Sequence, residues 1–263
     1  MVDIMLLADY AAGLAAIIYI LSGSVKWILG KRREAIESLE AVVDILIHLL
    51  ALQVIFWIAD LIASYIQIPL SFNATGTVSE KISYSSSVFW EASQKAISTI
   101  MYVQTERALL ASAPLTSPLS SVLGAATGWA ISELSILAIF YMHLSYAAKF
   151  FSVLAPYLAL IGSILLPVPK IRRVGASLLA IYLATSISFI LSAQIVSRDL
   201  EKIPEISPLN PVDWISVSSK VSDITIKLGE SATLIALAFS ISIVAGYGLA
   251  GVFDSIYVSV VRI

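Results

Sequence analysis

The residues of this sequence best placed to do chemistry are ionisable side chains inside long apolar segments. They are Asp9, Asp44, His48, Asp60, Glu133, His143 and Lys149. An ionisable group is costly inside a bilayer, so each marks a candidate site for ion, proton or substrate passage. Asp44 and His48 are one helical turn apart, which lets them pair or take part in a proton path. Placement of Asp44 in the headgroup zone, beside Arg32 or Arg33, is the simpler interpretation.

Glu133 and His143 lie in one apolar segment, about 15 Å apart along a helix that rises 1.5 Å per residue, so they do not touch each other. Glu133 is the deeper of the two and is predicted to face the bundle interior or a water-filled lumen. A purely structural pair is the alternative. With Pro156, these two residues are the candidates for a pore or translocation path.

Hydrolytic, redox and nucleotide chemistry find little support in the sequence. The absence of cysteine excludes disulfides, zinc-thiolate sites and thiol nucleophiles, and two histidines leave little for a hydrolytic metal. Residues 246–251 (GYGLAG) match the dinucleotide fingerprint, but they close an apolar helix, whereas that motif follows a strand. We therefore expect no enzyme and no cofactor or metal site.

The elements that carry these residues are predicted to be membrane helices. Hydrophobic residues make up 59% of the 263 residues and charged ones only 13%, against about 45–50% and about 25% in soluble domains. A span needs about 20 apolar residues to cross about 30 Å of hydrocarbon. Five segments meet that length: 5–29, 41–66, 119–147, 174–197 and 231–253. The sequence thus predicts an all-α, polytopic membrane helix bundle, with residues 1–263 as a single transmembrane domain.

A sixth apolar segment, 150–166, is short and contains Pro156, which kinks or breaks a helix. It could form a short span, the second half of a kinked long helix, or a re-entrant hairpin. The prediction is five full spans plus a broken or re-entrant element near Pro156. Six to seven spans are the alternative, in which the stretch 86–110 also crosses and its four charged side chains each cost about 2.5–3.5 kcal/mol at mid-bilayer.

Basic residues near helix ends predict the orientation, because short cytoplasmic connections are enriched in lysine and arginine. The inner-face candidates, for topology or for DNA contact, are Lys31, Arg32, Arg33, Lys170, Arg172 and Arg173. The connections 67–118 and 198–230 carry seven basic and nine acidic side chains, so they are expected outside. This places the N-terminus outside and the C-terminus inside, in a multi-pass protein of the plasma (cytoplasmic) membrane.

Both external connections contain an amphipathic pattern. One apolar stripe comprises Trp214, Val217, Val221, Ile224 and Leu228, and a second comprises Phe89, Ala96, Ile100, Val103 and Leu110. Spacings of three and four residues predict helices that pack on the membrane surface or on neighbouring elements.

Two further patterns complete the set of candidate sites. Asn73-Ala74-Thr75 is a glycosylation sequon in a connection expected outside. Small residues allow close approach of membrane helices, and four of them are candidates for helix packing: Gly124, Gly128, Gly246 and Ala250.

One region resembles a known family. The apolar-proline-apolar run 151–160 leads through Leu165-Leu166-Pro167 to Arg172-Arg173 and a new apolar helix. This looks like the signature of the polytopic inner-membrane subunit of type IV secretion systems (VirB/TrbL type). Among its relatives, the multi-span membrane protein of the archaeal DNA-exchange (Ced) importer is the most similar in size. The chain has Val174-Gly175-Ala176 where the family carries an aromatic residue.

The resemblance implies a subunit of a DNA translocation pore. It further implies a homo-oligomer that works with small membrane subunits and a separate cytoplasmic ATPase, with single-stranded or double-stranded DNA in transit. Phosphate contact would fall to the basic side chains of the inner face. A small-molecule or ion transporter and a membrane scaffold without a conduit are the alternatives.

Overall fold

A computed structural model describes residues 4–65, 71–112, 114–169, 171–204 and 211–260, of which 62, 211–215 and 253–260 are described by their backbone alone. Within those ranges the chain forms six helices and no strand, which confirms the predicted all-α helix bundle. The helices are α1 (Ile4–Ile28), α2 (Arg32–Tyr65), α3 (Thr75–Ser112), α4 (Ser117–Leu165), α5 (Arg172–Leu200) and α6 (Pro211–Val260).

Five helices are long and apolar enough to cross a membrane: α1, α2, α4, α5 and the part of α6 from Ser216 to Val252. Among the described residues α3 does not qualify, and the seven-span alternative required it to cross. The structure therefore supports five spans. Large apolar side chains cover the exposed faces of these helices, so the chain is a multi-pass membrane protein that contacts lipid.

Helix α4 differs from its prediction at Pro156. It runs without interruption from Ser117 to Leu165 with Pro156 inside it, so the predicted broken or re-entrant element is wrong, and the second half of one long helix is observed instead. Proline at 156 removes the N–H that would bond the carbonyl of Ser152. The hydroxyl of Ser79 donates to that carbonyl at 2.6 Å. A side chain from α3 thus satisfies the acceptor that the proline leaves open.

The length of α4 exceeds what a single crossing needs. Its 49 residues extend about 74 Å at 1.5 Å per residue, more than twice the hydrocarbon thickness of about 30 Å. A single crossing uses about 20 residues. More than half of α4 therefore lies beyond the hydrocarbon of its own span.

The turn between α1 and α2 is set by Gly30, whose φ of 78° is left-handed. Gly30 N–H donates to Trp27 O, and Lys31 N–H donates to Lys26 O. This pair of bonds is the Schellman arrangement, which satisfies the last carbonyls of a helix and requires a residue in this conformation after its end. The turn places the basic residues Lys31 and Arg32 at the junction of the two helices.

The chain divides into two compact units, each described here by itself. The first comprises Met1–Lys81, Phe151–Ser188 and Ser240–Ile263. Its buried core includes Phe72 and Tyr182, whose rings meet edge to face at 6.4 Å. Tyr182 also donates its hydroxyl to the carbonyl of Phe72 at 2.9 Å, so this aromatic pair joins α5 to the segment that precedes α3.

The second unit comprises Ile82–Phe150 and Phe189–Phe239. Tyr141 of α4 donates its hydroxyl to Leu228 O of α6 at 2.8 Å, and Ser231 of α6 donates to Asp199 of α5 at 2.7 Å. These bonds tie three helices together around a core in which Tyr141 and Ser231 are fully buried.

The two amphipathic stripes lie in this second unit and are largely buried. On α6 the buried members are Val217, Val221, Ile224 and Leu228; the side chain of Trp214 lies outside the described residues. On α3, Phe89, Ala96 and Val103 are fully buried, whereas Ile100 and Leu110 are partly buried. The helical spacing thus predicts which faces pack.

The orientation of the chain remains a prediction, and its lack of cysteine makes the test simple. Glu80 and Arg33 are both exposed, so a cysteine at either position is accessible to reagents. In intact cells, Glu80→Cys should react with an impermeant thiol reagent and Arg33→Cys should react only after the membrane is permeabilised, because basic turns stay cytoplasmic. Reaction at position 33 alone would invert the topology.

Candidate functional site

The first unit contains a buried cluster of three ionisable side chains: Asp44 and His48 of α2 and Arg172 of α5. All three are at least 93% buried, with exposed fractions of 7%, 0% and 5%. The Arg172 guanidinium donates a hydrogen bond to one carboxylate oxygen of Asp44. Nδ1 of His48 lies 3.2 Å from the other carboxylate oxygen. The Asp44 carboxylate thus lies between an arginine and a histidine.

The distances around His48 place a proton on Nδ1. Nδ1 is also 2.8 Å from the main-chain oxygen of Asp44, and both neighbouring oxygens are acceptors. A buried charge is costly unless it is paired, and the Asp44 carboxylate has the Arg172 guanidinium as its partner.

The cluster corrects the prediction for Arg172. The sequence suggested an inner-face side chain available for topology or DNA contact, but Arg172 is buried and bonded to Asp44, so it does not reach a phosphate. Arg173, the next residue, is exposed. Lys170 lies outside the described residues.

The other basic cluster is exposed, and each of its members contacts a neighbouring side chain. Lys31 lies 3.4 Å from Glu34, and Arg33 lies 3.4 Å from Glu37. The Arg32 guanidinium stands over the ring of Trp27 at 5.8 Å, a cation–π contact. Solvent screens these exposed pairs, so each contributes little to stability.

The pore candidates of α4 do not line the interior of the chain. Glu133 and His143 are both exposed, and His143 Nδ1 is bonded to the carbonyl of Ile139 on its own helix at 2.8 Å. Glu133 does not face the interior of the single chain, so that expectation is wrong. That Glu133 faces a water-filled lumen remains a prediction. Pro156 is partly buried.

The four predicted packing residues have different surroundings. Gly124 lies against the guanidinium of Arg107, only 2.8 Å from where a Cβ would be, and Gly246 lies 3.2 Å from Ala184 Cβ by the same measure. Ala250 is partly buried. Gly128 has no neighbouring atom within 4 Å of a Cβ position, so it makes no such contact.

Helices α4 and α5 approach closely at Gly162 and Gly175, two residues that were not among the predicted packing residues. A Cβ on Gly175 would be 2.5 Å from Leu166 N and 2.8 Å from Gly162 O. Only a residue without a side chain fits there. The signal available in the sequence was a glycine in each of two consecutive apolar segments, 150–166 and 174–197.

Asn73 has a structural role near the start of α1. Its side-chain oxygen accepts a hydrogen bond from the N–H of Met5 at 3.1 Å, which satisfies one of the orphan donors of a helix N-terminus. The carboxylate of Asp60 accepts a hydrogen bond from the N–H of Phe72 at 2.7 Å. The Asp60 carboxylate and the Asn73 amide therefore both help to fix the position of residues 72 and 73. Glycosylation of the half-buried Asn73 stays a prediction.

Among the described residues, no three His, Cys, Asp or Glu side chains are grouped so as to hold a metal ion. The arrangement is thus one of buried ion pairs and hydrogen bonds between helices. Comparison with protein-family models, characterised proteins and solved structures finds no match to this chain.

Proposed function

We propose that this chain is a membrane-embedded subunit of a DNA translocation pore, for import or for conjugation-like transfer. Support comes from the resemblance over residues 151–173. In the structure this stretch comprises the end of α4, a short turn and the start of α5, which is the order that the resemblance implies. Five candidate spans also agree with a polytopic pore subunit.

The exposed basic side chains of the first unit are the observation that carries this proposal. Arg173 follows directly on Arg172, which Asp44 holds in place, so the start of α5 is fixed while Arg173 remains exposed. Lys31, Arg32 and Arg33 are also exposed. Phosphates are common to every DNA sequence, and basic side chains supply most of the non-specific affinity for them.

The proposed assembly needs other components. The sequence has no P-loop, so the energy for transport comes from a separate cytoplasmic ATPase, and small membrane subunits accompany it. A conduit wide enough for DNA is larger than the six described helices of one chain would enclose, so the proposed pore is a homo-oligomer. The plasma membrane is its location.

The test separates the two adjacent arginines. Arg173→Gln should reduce DNA transfer and lower the salt slope of DNA binding by about 1, with membrane insertion intact. Single glutamine substitutions at Lys31, Arg32 and Arg33 should act in the same way. Arg198→Gln, another exposed arginine in a connection expected outside, is the matched control and should transfer DNA normally. Unchanged transfer in all four inner-face variants would refute phosphate contact at these residues.

The buried Asp44–His48–Arg172 cluster favours a second candidate, an ion or small-molecule transporter, because intramembrane ionisable groups often mark such pathways. The oligomeric state in detergent distinguishes the two functions. A closed ring with a central opening supports the pore, whereas a monomer that conducts protons or small ions in vesicles supports the transporter.

A further inference from the structure

The turn between α3 and α4 presents an apolar surface that no other part of the second unit covers. We call residues 108–112 and 114–132 the hairpin tip. Leu115 is 95% exposed. More than half of each of three other large side chains is also exposed, at Leu109, Leu119 and Val122. Exposed apolar side chains grouped around one turn mark a surface that meets another apolar phase.

The hairpin tip has no ionisable side chain. Between Arg107 and Glu133 the sequence has only apolar residues, glycine, proline, serine and threonine. Helix α3 before the tip does carry charges, at Glu91, Lys95 and Glu106 among others. The boundary between charged and uncharged surface thus falls at Arg107 on α3.

Six of the seven hydroxyl groups of the hairpin tip donate to main-chain oxygens of the hairpin itself, and the seventh, Ser117, is exposed. Bonds of 2.7–3.1 Å join the donors to carbonyls of the same helix, the turn or the facing helix: Ser112 to Leu109, Thr116 to Leu110, Ser120 to Arg107, Ser121 to Pro118, Thr127 to Leu123, and Ser132 to Gly128. Pro118, near the start of α4, has no N–H to satisfy. Hydrocarbon offers no hydrogen-bond partner, so polar groups inside it must form their hydrogen bonds within the protein.

The dimensions of the hairpin tip match one leaflet. From the start of α4 to Gly124, where the Arg107 guanidinium lies, the helix rises about 11 Å, and to the exposed Trp129 about 18 Å. Half of the hydrocarbon core is about 15 Å thick. Arginine and tryptophan are the residues expected at the level of the headgroups.

We infer that the hairpin tip inserts, as far as Arg107, into one leaflet of a second lipid bilayer, because the uninterrupted helix α4 cannot re-enter the bilayer that it spans. A complete crossing by this part of α4 is excluded by α3. Ser93 donates to Ala138 O at 2.9 Å and Ser86 lies 3.1 Å from Ser145, so α3 would be carried along. Its charged side chains would then cost about 2.5–3.5 kcal/mol each.

Lipid suits this surface better than a protein partner. Specific protein interfaces carry about one hydrogen bond per 100–200 Å², and six of the seven hydroxyls of the hairpin tip already have partners within the hairpin. With no charge between Arg107 and Glu133, electrostatic complementarity has no group to act on. This inference is independent of DNA transport.

The test measures which solvent surrounds the tip. The full chain has no cysteine, so Leu115→Cys accepts one fluorescent label. The protein is reconstituted in unlabelled vesicles, which are then mixed with vesicles that contain nitroxide-labelled lipid. We expect lipid nitroxide to quench this label at least threefold more than a label at Ser98→Cys, with iodide in water giving the reverse order. Ser98 is exposed on α3, about 21 Å from its end.

A second variant checks the cause. Leu119→Glu in the Leu115→Cys background should reduce quenching by lipid to the level seen at position 98, whereas Leu119→Ala should retain it. Equal quenching by lipid at positions 115 and 98 would overturn the inference. Shielding of position 115 from both quenchers would also overturn it, because a second copy or another protein would then cover the tip.

Discussion

Replacing Arg172 by glutamine is expected to lower the free energy of unfolding by about 3–5 kcal/mol, the usual cost of removing one partner of a buried ion pair. The substitution removes the guanidinium from the buried Asp44 carboxylate, which keeps the contact with His48. Asp44→Asn should be similarly damaging because it removes the carboxylate that the buried guanidinium faces. Thermal unfolding in detergent, followed by circular dichroism, measures both effects.

The double replacement Asp44→Asn with Arg172→Gln should cost much less than the sum of the two single changes, because no uncompensated charge remains. Arg173→Gln is the matched control, since that side chain is exposed and its loss should change stability by less than about 0.5 kcal/mol. Additive single effects, or equal effects at positions 172 and 173, would contradict the buried pair.

Replacing Gly175 by alanine is expected to disrupt the packing of α4 on α5. The added methyl group would be 2.5 Å from Leu166 N and 2.9 Å from the carbonyl carbon of Leu165. These are backbone atoms, so the two helices must separate. Overpacking typically costs about 1–3 kcal/mol, and a clash with the main chain belongs at the upper end. The yield of folded protein and its unfolding temperature in detergent measure the effect.

Gly13→Ala is the control for this change. Gly13 is an exposed residue of α1 with no atom within 4 Å of a Cβ position, so alanine there meets no obstacle and has the higher helix propensity. Its unfolding temperature should be unchanged or higher. A loss of stability at position 13 equal to that at position 175 would show that the effect does not arise from helix contact.

The elements could be predicted from the sequence because their signals are local. Apolar length predicts the spans, and the three-and-four spacing predicts the buried faces of α3 and α6. The predicted interruption at Pro156 was wrong because the hydrogen bond that compensates for the proline is not local. The hydroxyl that donates to the carbonyl of Ser152 comes from Ser79, 73 residues earlier. A rule about proline considers only its own helix.

The candidate site could be predicted only in part from the sequence, because some of its contacts join residues far apart in the chain. Asp44 and His48 are one turn apart, so their pairing could be anticipated, whereas Arg172 lies 128 residues beyond Asp44. Its neighbour Arg173 made it look like one member of an exposed basic turn. Likewise Gly128 and Gly175 look alike in sequence, and only the positions of neighbouring helices show that one faces open space and the other faces backbone.

The bond between Ser79 and the carbonyl of Ser152 has a consequence for how this sequence can vary. While position 156 is proline, a hydroxyl at position 79 bonds this carbonyl, so threonine can keep the bond and alanine loses it, at a cost of about 1–3 kcal/mol. If position 156 acquires an N–H, the helix satisfies its own carbonyl and the hydroxyl at position 79 is no longer needed. Substitutions at 79 and 156 are therefore coupled across two helices, and alanine at 79 costs less when it follows the loss of the proline than when it precedes it.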